Sequence, residues 1–425
     1  MRIDRQMLKT LKQDLKAQRR IFRTVQMQRK WDPEEPTHVV FLVQETSVWP
    51  KSEPVARLML ESAAFHVTFL CLPRAKLSAM RENRLEFAQN DAADYIRARF
   101  GADNAAIVSA QTSDGWVDLA ALRPHYVFYA RPYDIYLPLE YRTQNVSRYA
   151  RCCYIPYSFL MTQAFAPMGA SPEFTRNIRL FFACERDEAE YVKKTLLPTP
   201  LRKVRLDGYP PLDAWWKLKR GNGPLTVTWT PRWTTDVSAG GGSSFFMYWD
   251  FFYELAAAHP ELRVIVRPHP LAFENFINSG EMTCAQADEL HEKWKALANG
   301  RIDEDGDYTQ TLAQTDILVT DLSGIIYEYF MTGRPVVYCG RREPMETRDF
   351  ALLFDSFYVI DSEKALSQRL SALLKGEDEK KDERAAAIET LRTIMVKPPE
   401  QIVRTILIDR FGKRAAQKMM RTERT

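Results

Sequence analysis

Cysteine is scarce in this chain of 425 residues: six, at 71, 152, 153, 184, 284 and 339. None is spaced as a metal-ligand set, and their placement points towards thiols buried in a reducing cytosol and away from a disulfide framework. Cys152 and Cys153 are adjacent, and Cys71, Cys184 and Cys339 lie at or near apolar runs. No stretch approaches the ~20 apolar residues needed to cross a bilayer, and nothing resembles a cleavable signal. Internal repeats are absent. One low-complexity patch, Ala239 to Ser244, reads as either a mobile lid or a surface loop. A net charge of +4 is mild, so bulk charge selects no partner. What is present is a globular composition, 45% hydrophobic and 12% aromatic, in a chain long enough for two α/β domains with separate cores.

The charge that exists is unevenly placed. Met1 to Lys30 holds ten Lys or Arg against two Asp, 10 − 2 = +8. Met7, Leu11, Leu15, Phe22 and Val25 recur there near helical intervals, which predicts a basic amphipathic helix able to lie on an anionic membrane surface or to pack its stripe on the first domain. Nucleic acid is not an expected partner, because stacking aromatics are nearly lacking in that segment. The C-terminal tail, with Lys413, Arg414, Lys418, Arg421 and Arg424, repeats the basic theme.

Apolar β-branched runs alternate with helical patterns along the body of the chain. His38 to Val43, Val67 to Leu72, Tyr126 to Ala130, Cys152 to Tyr157 and Leu180 to Cys184 read as strands, with helices over Arg57 to Ala64 and Arg84 to Arg99. The reading divides the chain into a basic helix (1–30), an N-terminal Rossmann-like domain (31–206), a linker (207–224) and a C-terminal Rossmann-like domain (225–375). Helices over 376–425 are expected to pack back towards the N-terminal domain. Two facing Rossmann-like domains with a cleft between them define a GT-B-like α/β fold.

The richest segment is Thr315 to Gly340. Ile317 to Val319 is a strand, Thr320-Asp321-Leu322-Ser323-Gly324 is a polar turn with capping groups, and a helix follows until Gly333 and Pro335. Such a turn presents free backbone N–H groups to an anion. Upstream, Leu262 to Val266 leads into Arg267-Pro268-His269-Pro270, where two prolines hold a cation and an imidazole at a strand end. Ligands of open parallel sheets sit beyond the carboxyl ends of strands, so the combination suits a diphosphate.

These motifs resemble the C-terminal half of the CDP-glycerol glycerophosphotransferase family, the teichoic-acid and capsule polymerases and their priming relatives. The resemblance rests on Arg267-Pro268-His269-Pro270, on Thr320 to Tyr338 with its Tyr327-Glu328 pair, and on Asp207 to Asp213, similar to the family's Gly-Tyr-Pro-x-x-Asp. It rests also on Val227 to Trp233, where Arg232 precedes Trp233 although the family usually has Trp then Arg. It covers about Leu201 to Tyr338 and implies transfer of glycerol phosphate, or a similar polyol phosphate, from a CDP-activated donor to a hydroxyl of a lipid-linked or oligomeric surface polymer, with release of CMP. On this reading Arg267, His269 and Arg232 meet the diphosphate, Ser323 and Gly324 bind phosphate, Thr320 and Asp321 cap the helix, and Glu328 holds the ribose. The family places its base on a His of the N-terminal domain, and no matching motif occurs here. Glu45, at the end of the first strand, is the leading candidate, with Asp134 and His125 behind it. No cofactor and no metal are expected, and the protein is placed in the cytoplasm, peripheral at the inner face of the membrane. The competing expectations are a GT-B glycosyltransferase using a nucleotide sugar and, further off, a non-catalytic membrane-surface scaffold.

Overall fold

The computed structural model describes residues 5–77, 84–101, 106–237, 242–340 and 346–422. It divides into two compact units, one formed by Met1–Pro211 with Ile394–Thr425 and the other by Leu212–Thr393. The boundary lies inside the stretch expected as a linker, which carries a short helix, Leu212–Trp216. The return to the first unit comes at Ile394. The helix Lys381–Ile394 therefore belongs almost wholly to the second unit, where Arg384 is fully buried and donates to the carbonyl of Gly333.

The first unit is built on seven parallel strands: β1 (Thr37–Val43), β2 (Phe65–Cys71), β3 (Ile107–Ser109), β4 (Tyr126–Tyr129), β5 (Arg151–Tyr154), β6 (Ile178–Ala183) and β7 (Lys203–Leu206). Their order is β7-β6-β5-β4-β1-β2-β3. Both faces are covered, which is why the strands are continuous apolar runs and not alternating ones. On one face Phe41, Phe69 and Phe128 pack with Trp49 and with Ile402, Ile406 and Leu407 of the C-terminal helix Pro398–Phe411. On the other, Val40, Leu42, Tyr129, Tyr154 and Phe181 pack with Phe174, Ala189 and Val192. The C-terminal helix is clamped by Asp409, whose buried carboxylate meets Arg179 at 2.7 Å, Lys203 at 2.6 Å and Arg151 at 3.1 Å. One expected helix is corrected: Leu85–Phe87 is a short strand paired with Ala75–Leu77, and the helix begins only at Ala92.

The second unit repeats the plan with β8 (Thr226–Thr230), β9 (Arg263–Val266), β10 (Gly300–Ile302), β11 (Ile317–Thr320), β12 (Val336–Cys339) and β13 (Tyr358–Ile360), in the order β10-β9-β8-β11-β12-β13. Counted within each unit, the second sheet runs 3-2-1-4-5-6, the doubly wound Rossmann order, and the first runs the same with a seventh strand added beyond the sixth. The core centres on Trp229, stacked between Phe252 at 4.6 Å and Phe245 at 5.8 Å.

The N-terminal helix, Arg5–Gln28, is real, but its packing differs from the expected stripe. Asp14, Ala17, Ile21, Thr24, Val25 and Gln28 are buried, whereas Leu15 and Phe22 are exposed; Met7 lies outside the described side chains. The docked face is half apolar and half polar, and its polar residues step across the starts of successive strands. Gln28 donates to the carbonyls of His125 and Tyr149, Thr24 to that of Ser147, and Arg20 to the Asn177 side chain. Asp14 accepts from the Leu197 N–H and lies 3.5 Å from Arg176. The helix thus runs beneath the amino ends of β4, β5, β6 and β7, pinned by hydrogen bonds at each step.

The Asp207-to-Asp213 motif has a packing reason. Gly208 has φ +85°, and a Cβ there would come within 2.9 Å of the Met395 Cβ and 3.0 Å of the Pro398 Cγ. Only glycine fits both the left-handed backbone and the approach of the returning chain. Asp207 beside it meets Arg205 at 3.6 Å and accepts from Thr405.

Candidate active site

In a sheet of this order the crevice opens where the strand order reverses, between β8 and β11 in the second unit. The two strand ends are stitched together there. The Thr230 hydroxyl donates to that of Thr320 at 2.7 Å, and Asp321 accepts the backbone N–H of Arg232 at 2.7 Å and of Ser244 at 2.9 Å. Burial pushes the Asp321 carboxyl up to about 6, against the pull of those hydrogen bonds. Thr320 and Asp321 therefore hold loops in place and do not cap the following helix, a correction to the expectation. That helix, Ile325–Phe330, has Gly324 at its N-cap and no side-chain cap. Ser323 and Gly324 are half-buried at its mouth.

His269 follows β9, which flanks β8 on the other side. Its backbone N–H donates to the Pro231 carbonyl at 3.2 Å, so the β9 and β8 loops run together, and its Nδ1 accepts from the Leu271 N–H. The ends of β9 and β11 are thus separated by a single strand, about 10 Å at ordinary sheet spacing. Arg232, following that middle strand, acts electrostatically on both His269 and Asp321. Crowding by protein atoms, with Arg232 adding to it, pushes the His269 imidazole down to about 4. The residue nonetheless keeps an exposed surface, and that exposure is the better guide to what an incoming ligand meets. The imidazole is therefore neutral near neutral pH.

Arg267 and Glu328 are placed differently from the expected free ligand contacts. Arg267 is buried, pairs with Asp303 at 2.8 Å, bonds the Asp305 carbonyl, and lies 5.6 Å over the Tyr308 ring. Glu328 is 1% exposed and accepts the Tyr308 hydroxyl. The two residues are joined through Tyr308 and fasten the 303–308 segment beside the site. Asp303, Tyr308 and Thr311, which also bonds Asp303, were not legible in the sequence; the short β10 gives the segment no periodic signal.

The first unit has its own reversal, between β1 and β4. Glu45 lies just past β1, and Arg131, just past β4, meets it at 3.5 Å while donating to Gln44 at 2.5 Å. Of the alternatives, Asp134 is occupied by the N–H and hydroxyl of Thr143. His125 precedes β4 at the opposite edge, buried, 3.3 Å from Glu35. Within that unit, Glu45 is the candidate at the carboxyl edge. Among the described residues no group of three His, Cys, Asp or Glu is placed to hold a metal ion. The Ala239-to-Ser244 patch lies partly outside the described residues.

Two Rossmann-ordered parallel sheets are the halves of a GT-B enzyme, and solved structures of that class match. UDP-N-acetylglucosamine 2-epimerase aligns with a TM-score of 0.60 at 11% identity, covering 89% of this chain and 98% of that one. The UDP-GlcNAc 2-epimerase of Neisseria meningitidis, bound to UDP-GlcNAc, gives 0.56 at 14%, with 87% and 99% covered. The wall teichoic acid polymerase TagF gives 0.51 at 12%, with 100% and 99% covered. Likeness at such identities establishes the fold alone. The sequence narrows it: residues 217–393 match the family described as CDP-glycerol:poly(glycerophosphate) glycerophosphotransferase. No curated protein matches.

Proposed function

We propose that this protein transfers glycerol phosphate, or a closely similar polyol phosphate, from a CDP-activated donor to a hydroxyl of a growing, lipid-linked surface polymer at the inner face of a membrane. The observation that supports the reading is that His269, Arg232 and the Ser323-Gly324 turn follow three neighbouring strands at the reversal point of the family-matched unit. The donor diphosphate takes the place beside Arg232 and His269, with Ser323 and Gly324 offering hydroxyl and N–H contacts. The acceptor oxygen attacks the phosphorus bearing the polyol, the bond from that phosphorus to the bridging oxygen breaks, and CMP departs. Negative charge spreads over phosphoryl oxygens on the way, so positioning and charge stabilisation supply the catalysis.

Two roles follow from the local chemistry. His269, neutral in the free protein, gains a proton as the dianionic diphosphate binds, and the imidazolium then stabilises the departing phosphate. Glu45 is assigned to receive the acceptor's proton. Arg267 and Glu328 serve as positioning residues, ordering the segment beside the donor through Asp303 and Tyr308. The scheme calls on no metal. A panel of CDP-glycerol, CDP-ribitol and UDP-sugars, assayed for release of CMP or UDP, tests it: CMP release with a CDP-polyol and a primed acceptor is the expected result. UDP release from a nucleotide sugar instead would establish a glycosyltransferase, and donor binding without turnover a scaffold.

A further inference from the structure

The exposed side of the N-terminal helix carries a second apolar feature that belongs to neither of the first unit's described hydrophobic clusters. Leu8, Leu15 and Phe22 are 41%, 43% and 49% exposed. Their spacing of seven residues sets them in one ridge that drifts only about 20° per step. Beside this ridge run Lys12, Lys16, Arg19 and Arg23, all exposed. The buried face of the same helix is already committed: Gln28, Thr24, Arg20 and Asp14 make hydrogen bonds or ion pairs to the strand starts. A helix held by its polar side, with leucine, leucine and phenylalanine turned outward next to four cations, is folded for a partner that is apolar and anionic together.

We infer that this ridge, Leu8-Leu15-Phe22 with Lys12, Lys16, Arg19 and Arg23, lies on an anionic lipid bilayer, the apolar side chains entering the headgroup boundary and the cations meeting lipid phosphates. The inference gives the proposed transferase its membrane contact and rests on that reading only for what the membrane presents; the surface itself stands on the helix geometry. Charge complementarity selects the occupant. A second copy of the chain would bring two basic rows together at the same ridge, and like charges at that spacing repel. The helix as a whole cannot span, since no helix among the described residues is long and apolar enough to cross a membrane. Contact is therefore in-plane.

Co-sedimentation of the full chain with vesicles tests this, comparing phosphatidylcholine alone with phosphatidylcholine containing phosphatidylglycerol. Two variants, Leu15→Asp with Phe22→Asp and Lys12→Glu with Arg19→Glu, change exposed side chains only, so unchanged circular dichroism serves as the control for folding. Binding is expected to the anionic vesicles alone, to weaken with salt, and to fall about tenfold or more in each variant. Turnover on a soluble acceptor is expected to be unaltered, which separates failure of the surface from failure of the catalytic reading. Equal binding by wild type and both variants overturns the inference, as does absence of binding to anionic vesicles. A dimer in solution that Leu15→Asp with Phe22→Asp dissolves, without vesicle binding, would assign the ridge to a second copy instead.

Discussion

Replacing Asp409 by asparagine removes one negative charge from a buried site that holds three cationic side chains. The carboxylate is wholly buried and serves Arg151, Arg179 and Lys203, with the Tyr126 hydroxyl 3.1 Å away. Arg151 and Arg179 are themselves only 4% and 9% exposed, so the variant strands two guanidinium groups in the core. Breaking such a pair costs about 3–5 kcal/mol, a large part of the ~5–15 kcal/mol that holds a domain folded. Asparagine keeps the volume and one acceptor oxygen, which places Asp409→Asn near the lower figure and Asp409→Leu near the upper. The pH dependence distinguishes charge from packing. Burial alone would raise this carboxyl, but Arg179, Arg151 and Lys203 hold it well below the usual range. A depressed folded-state pKa gives stability that is complete above the unfolded value, near pH 4, and is lost as pH falls through the folded one. The gap between wild type and Asp409→Asn is therefore constant from pH 8 to about pH 5 and closes in stronger acid. Both proteins still weaken from about pH 6.5 downward, because burial holds His38 near 4 and His125 near 3 and each must charge on unfolding. Pulsed thiol labelling in urea gives a readout confined to the first unit, since Cys71, Cys152, Cys153 and Cys184 are buried there and Cys339 reports the second. Unchanged labelling midpoints for Cys152 and Cys153 in Asp409→Asn, or a gap that does not narrow at all between pH 5 and pH 2, would refute the argument.

Gly208→Ala is expected to lose roughly 2–4 kcal/mol, from backbone strain together with the collision with Met395 and Pro398; thermal denaturation shows it, and a shift within error would remove the close-approach explanation. Donor affinity measured by calorimetry should rise as pH is lowered from 8 towards 6, with proton uptake on binding, because the imidazole of His269 is held near 4 until the diphosphate raises it; His269→Asn should flatten that dependence. Glu45→Gln should collapse turnover by about 10²-fold or more while donor affinity stays intact, and normal turnover would remove Glu45 from the mechanism. Tyr308→Phe, which removes one hydrogen bond to the buried Glu328, should cost about 1–3 kcal/mol in stability and weaken donor binding, whereas loss of stability alone would leave that network a purely structural role.

The parallel strands were the most legible part of the sequence, because strands covered on both faces are apolar throughout and short. β1, β2, β4, β6, β8, β9, β11 and β12 all fall where such runs occur. β3, β7, β10 and β13 lie towards the sheet edges, are three or four residues long and leave little pattern to read. Site residues were legible where prolines or glycine punctuate a strand end, as at Arg267 to Pro270 and Ser323-Gly324. What a side chain does once there was not. Arg267 looked free in sequence because its partner Asp303 lies 36 residues away, after a strand too short to be noticed. Thr320 and Asp321 looked like caps because capping residues and loop-stitching residues are the same types, and only the sheet order brings Arg232 and Ser244 within reach. The N-terminal helix was legible as amphipathic, but the face that docks does so through Asp14, Thr24 and Gln28, polar residues that a search for apolar stripes passes over.

The position of the N-terminal helix beneath the amino ends of β4 to β7 sets a distance. A seven-residue strand such as β1 rises about 23 Å, and Glu45 lies beyond its far end. Were the helix to lie flat on lipid with the strands upright, Glu45 would stand roughly that height above the headgroups. A substrate tethered to the bilayer would then need a spacer of comparable reach before its terminal hydroxyl arrived, and tether length would act as a ruler against short precursors irrespective of their chemistry.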